Sequence, residues 1–332
     1  MLGTRVRSCR PSRRAALAVA VAITATGLAS PVRPVLAAPR AAKVPAHPHT
    51  LVALGDSVAA GMGLQWRDWL TPDSCWRSGS DSYAGRFFSS WKKAAPKTEQ
   101  SSYKFVLLGC KGETAASMGK QVDKAIAEDP GLISITIGAN DLRFVYPERL
   151  FRADGTLDRS IVDKNLAALT TSLRGVLTRL VDNTGARIMV TTYHNPTAAD
   201  PVGVPSCSGK CFSDAVTGVL AQLNSTIADT VRTFSTDRVR LADVAKRFDG
   251  HGAPNGWGPD SWRQVGVPSW IPVPSSARKI LSDTQGIQAY CASGHNIWID
   301  KNWVNGIDCV HPNADGAKAY AATLSAVLAA WK

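Results

Sequence analysis

Five short apolar runs, separated by segments of helical length, restrict this chain to a narrow set of folds. The runs are Leu51–Leu54, Tyr103–Leu108, Leu132–Ile137, Arg187–Tyr193 and Val239–Ala242. Leu51 to Leu54 is apolar without a break, the pattern of a strand covered on both faces of a parallel sheet. Helical patterns fall at Val58–Leu64, Tyr83–Ala94, Thr114–Ala127, Ile161–Asp182, Ser213–Phe234 and Ala314–Trp331. Strands alternating with helices of this size make right-handed crossovers, which lay helices on both faces of the sheet. The spacing therefore predicts an α/β fold: a three-layer α/β/α sandwich around a mostly parallel sheet of about five strands. With 332 residues, 45% of them apolar, the chain can fill such a core.

The N-terminal stretch is expected to stand outside that fold. Arg5, Arg7, Arg10, Arg13 and Arg14 precede an apolar segment from Ala15 to about Leu28, and Val35-Leu36-Ala37 forms a small-residue cleavage site. Residues 1–37 thus read as a secretory signal peptide, the apolar segment being too short for a membrane span. Residues 38–49, rich in Ala and Pro, read as a flexible mature N-terminus, followed by one domain over 50–332. Losing residues 1–37 removes six arginines and no acidic residue, so the formal charge falls from +12 to +6. No basic run with interleaved aromatics points to nucleic acid, and no later apolar run points to a membrane anchor. A secreted monomer is expected.

Cysteine usage fits export. Setting aside Cys9, the chain holds Cys75, Cys110, Cys207, Cys211, Cys291 and Cys309, an even number that implies disulfides in an oxidising compartment. Fifteen pairings are open, of which the sequential one (75–110, 207–211, 291–309) is favoured. Cys207-x-x-x-Cys211 has no nearby histidine or second close pair, so neither a metal nor a cofactor is expected.

Two stretches interrupt the alternation. One carries Trp66, Trp69 and Trp76. The other, an insertion at about 248–307, is rich in Gly and Pro and carries Trp257, Trp262, Trp270, Trp298 and Trp303. These tryptophans suit a loop-rich minicore or an apolar wall facing a ligand.

Four short motifs lie at structural junctions. Gly55-Asp56-Ser57 ends the first strand, and Gly109-Cys110-Lys111-Gly112-Glu113-Thr114 ends the second. Gly138-Ala139-Asn140-Asp141 ends the third, and Asp308-Cys309-Val310-His311 precedes the last helix. The first three open onto one sheet edge. Singly, each has a plain explanation: Asp56 and Asn140 as helix caps, Gly112 or Gly109 as a turn former, Asp141 as a structural partner. His194 follows the fourth strand as a loop histidine on the same edge, and His251 and His295 have no partner at ligand spacing. Together the motifs supply what acyl transfer needs: a nucleophile, a base, a group to orient it and donors for an oxyanion.

In residues and order these motifs resemble the SGNH (GDSL-type) hydrolases, and most of all the secreted lipases and esterases of actinomycete bacteria. The resemblance implies a flavodoxin-like SGNH fold and a secreted serine ester hydrolase acting on lipid or small acyl esters. It implies Ser57 as nucleophile, His311 as base and Asp308 as its orienting carboxylate. The backbone N–H groups of Ser57 and Gly112 and the side-chain amide of Asn140 would form the oxyanion hole. A phospholipase, a carbohydrate O-deacetylase, or a binding module without catalysis would share the fold.

Overall fold

Strand β1 (His47–Gly55) is buried from Thr50 onward, with Leu51, Val52, Ala53 and Leu54 wholly inaccessible, and the sheet is built outward from it. The computed structural model describes residues 43–64, 74–143, 150, 152, 156–196, 207–248 and 311–331, residues 207–216 by their backbone. Strand β2 (Lys104–Leu107) pairs with one side of β1, and β3 (Pro130–Thr136) with the other. Strands β4 (Arg187–Thr191) and β5 (Val239–Ala242) continue the sheet in the order β2-β1-β3-β4-β5, every pairing parallel. β1 begins at His47, so the last three residues of the expected N-terminal tail belong to the sheet.

Helix α2 (Tyr83–Ala94) packs on one face with α6 (Val244–Phe248) and α7 (Ala314–Ala329). Helices α3 (Gly119–Glu128), α4 (Arg159–Asn183) and α5 (Cys207–Arg232) cover the other. The three-layer parallel sandwich is the expected one. Chain order reverses between β1 and β3, so a crevice opens beyond their carboxyl ends, where ligands bind in open α/β sheets.

Three helix boundaries differ from the sequence expectation by more than two residues. α1 is one turn, Ser57–Ala60, because Gly61 takes a left-handed conformation (φ +80°) and ends it well before Leu64. α3 begins at Gly119 instead of Thr114, since Thr114 and Ser117 exchange side-chain-to-backbone bonds of 3.0 and 3.2 Å that hold a turn. α5 begins at Cys207, six residues before Ser213. Of the two tryptophan-rich stretches, Trp76 is buried beneath the Lys111 ammonium, 4.9 Å from the ring centre. Trp66, Trp69 and residues 249–307 lie outside the described residues.

Candidate active site

Gly55 must be glycine for β1 to end where it does. Its φ is +129°, and a Cβ there would fall 1.9 Å from the Thr136 carbonyl oxygen of β3. Asp56 N donates to that same oxygen at 3.0 Å, so the chain turns tightly against β3 before releasing Ser57. The Gln121 side chain of α3 grips the turn from behind. Its Oε1 accepts from Gly55 N (2.8 Å), and its Nε2 donates to Gly55 O (3.0 Å) and to a Glu113 carboxylate oxygen (3.0 Å). One buried amide thus ties the first motif to the second.

His311, 5% exposed, arrives from the start of the α7 segment and places Nε2 2.7 Å from Ser57 Oγ. Ser57 itself is partly accessible. A small cleft beside this pair, about 20 Å³, is walled by Val58, Ala139, Asn140, Pro196 and Leu220. Asn140 Nδ2 donates to the Glu113 carbonyl at 2.9 Å, which orients the amide and leaves its second hydrogen uncommitted by that bond. Asp141 is engaged elsewhere: both its carboxylate oxygens accept from Ala115 N, at 3.1 and 2.9 Å, locking the loop after β2 to the end of β3.

That loop is fastened at its other end by the Cys75–Cys110 disulfide, as the sequential pairing expects, and by Cys110 N donating to Gly55 O at 2.9 Å. The two glycines that compete for the second motif have separate tasks. A Cβ on Gly109 would lie 2.8 Å from Ala60 N, so Gly109 permits close passage beside α1. Gly112 has open space around it but a φ of +77°, so its backbone conformation is what glycine supplies. The side chains of Cys207 and Cys211, together with Cys291, Cys309 and Asp308, lie outside the described residues. His251 and His295 lie there too. Among the described residues no cluster of His, Cys, Asp and Glu is disposed to hold a metal ion.

Two residues that sequence reasoning passed over or set aside stand at the cleft. His194 is buried at 3% exposure, packs at a tilt against Phe248 with ring centres 4.4 Å apart, and pairs Nδ1 with the Tyr320 hydroxyl at 2.8 Å. It therefore joins the exit of β4 to α7, the helix that follows His311. Tyr193, 4% exposed, donates its hydroxyl proton to Asp56 Oδ2, and its hydroxyl oxygen accepts from Ala139 N at 3.2 Å. As the last residue of an apolar run, Tyr193 carried only a strand signal.

Asp56 is 1% exposed, and burial pushes its carboxyl from an ordinary 3.8 up to about 6. The Tyr193 hydroxyl, the Val58 N–H and the nearby His311 recover part of the rise. A carboxyl that binds its proton more tightly in the native state contributes fully below pH 3.8, and that contribution is lost as the pH climbs through about 6. A shift of this size is worth on the order of 3 kcal/mol. Asp56→Asn stays neutral, so its urea midpoint should decline less than the parent's between pH 4 and pH 7; parallel curves would count against the shift.

Residues 53–319, from β1 into α7, match the GDSL-like Lipase/Acylhydrolase family. Among solved structures the chain is similar to an extracellular lipase from Streptomyces rimosus, with 20% identity and a TM-score of 0.54 over 84% of this chain and 99% of that one. It is also similar to phospholipase A1 from Streptomyces albidoflavus NA297, with 19% identity and a TM-score of 0.50 over 84% of this chain and 99% of that one. At these identities the likeness is one of fold. Comparison with curated proteins gives no match.

Proposed function

The chain belongs to the GDSL-like lipase/acylhydrolase family, and from that premise we propose that it is a serine carboxylic ester hydrolase working through an acyl-enzyme on Ser57. The observation that carries this reading is the 2.7 Å approach of His311 Nε2 to Ser57 Oγ at the sheet's switch point. An imidazole so placed takes the hydroxyl proton as Oγ attacks the ester carbonyl, then returns it to the departing alcohol. Water, deprotonated by the same nitrogen, releases the acid. Asp308, three residues before His311, is assigned to hold the imidazole in its productive tautomer and to stabilise the imidazolium.

The negative charge of the tetrahedral intermediate is assigned to three donors: Ser57 N, Gly112 N and Asn140 Nδ2. α1 is a single turn, so its dipole adds little and the individual N–H groups carry the stabilisation. Asn140→Ala is expected to lower kcat by about 10²–10³ with little change in KM, because the bond forms mainly in the transition state. A change in KM alone would make Asn140 a substrate-binding residue.

The substrate is proposed to be a lipid or small acyl ester. The described walls beside Ser57 include the apolar side chains of Val58, Ala139, Pro196 and Leu220, a lining suited to an acyl group. A p-nitrophenyl ester series from acetyl to palmitoyl, run beside a phospholipid and an acetylated sugar, tests this. An optimum at long chains would favour a lipase, and preference for the phospholipid or the acetylated sugar would transfer the same chemistry to those esters. Export is proposed on the basic-then-apolar N-terminal sequence and on the Cys75–Cys110 disulfide, a bond that persists in oxidising compartments. Among the described residues no helix is long and apolar enough to cross a membrane.

A further inference from the structure

We propose that Tyr193 is a positioning residue for the reaction, a strut whose single hydroxyl sets the Ser57 turn against the Asn140 turn. The two turns leave neighbouring strands, and among the described residues the last backbone bond between those strands is Asp56 N to Thr136 O. Tyr193 comes from a third strand end and reaches both. Its hydroxyl donates to Asp56 Oδ2, one residue before Ser57, and accepts from Ala139 N, one residue before Asn140. Asp56 Oδ1 meanwhile accepts from Val58 N at 2.9 Å, so the carboxylate holds the residues on both sides of Ser57.

The base of the strut is equally constrained. Asn224 of α5 accepts from Tyr193 N through Oδ1 (2.8 Å) and donates to Tyr193 O through Nδ2 (2.8 Å). This repeats at β4 the grip that Gln121 has on Gly55 at β1. A phenol fixed at its backbone and engaged twice at its oxygen has little freedom, and a hydroxyl used as donor and acceptor at once has a set angle between its partners. A mere filler of this buried space would need neither bond. The ring alone would pack as well without its oxygen.

The inference rests on Asn140 serving as an oxyanion donor, and the test separates the two. Tyr193→Phe keeps the ring and removes only the oxygen. It is expected to lower kcat by about 10–100-fold with KM within about twofold, a part of what a whole donor is worth. Against an Asn140→Ala background the same change should cost less than about twofold, because the group being positioned is already gone. Independent multiplying losses, an effect confined to KM, or kcat within twofold of the parent would overturn the strut. Hydrogen exchange at the Ala139 amide gives a reading that needs no activity. Tyr193→Phe should speed exchange there while the β1 and β3 interior amides keep their protection. Unchanged exchange at Ala139 overturns the strut whether or not the parent hydrolyses an ester, and a parent inactive on every ester overturns the hydrolase reading alone.

Discussion

Ser57→Ala is expected to abolish ester hydrolysis while the protein stays folded. The substitution removes one partly accessible oxygen and leaves untouched the backbone bonds that shape the turn: Asp56 N to Thr136 O, and the Gln121 clamp on Gly55. Loss of a nucleophile of this kind costs about 10⁶ in kcat where it has been measured, which here means activity at the assay floor. A fluorophosphonate should label the parent once, and peptide mapping should place the label at Ser57. Labelling at any other serine, or full activity in the Ala variant, would remove the proposed mechanism.

His311→Ala should cost nearly as much, because Ser57 without its base and the base without Ser57 leave the same residual catalysis. The sharper comparison is with Asp308→Asn. If that carboxylate alone orients the imidazole, its loss should lower kcat by up to about 10⁴, since Asn can impose the wrong tautomer and cannot stabilise the imidazolium. If a backbone carbonyl suffices, kcat corrected for active-site titre should stay within about threefold of the parent, well under the decade that corresponds to 1.36 kcal/mol. We expect the larger loss. Melting temperature measured alongside distinguishes a catalytic defect from a turn that no longer folds.

The parts of the fold that could be read from the sequence are those set by neighbours along the chain. Leu51–Leu54 announces a strand buried on both faces, and β1 is that strand. Gly55 and Gly138 mark the strand ends because backbone conformations near φ +130° exclude other residues. The start of α3 was read less well, for a physical reason. Thr114 to Met118 has helical composition, but its amides are taken by Ser117, Thr114 and Asp141, the last from 26 residues away. Similarly, Asp56 could be read as a cap, and it does accept from Val58 N. Its second oxygen, engaged by Tyr193, belongs to a contact that no local pattern contains.

By itself, then, the amino-acid sequence determined which segments are strands, which edge the first three motifs share, and which residue types stand there, since burial periodicity and glycine conformation act over a few residues. The tertiary structure decided the rest. Ser57 meets His311 across 254 positions, Asp56 meets Tyr193 across 137, and Gln121 meets Gly55 across 66. Each contact depends on strand order and parallel register, which place β1 between β2 and β3 and align the ends of β1, β3 and β4. Periodicity specifies that a strand is buried but not beside which neighbour. The partners of Ser57 therefore exist only once the sheet has assembled.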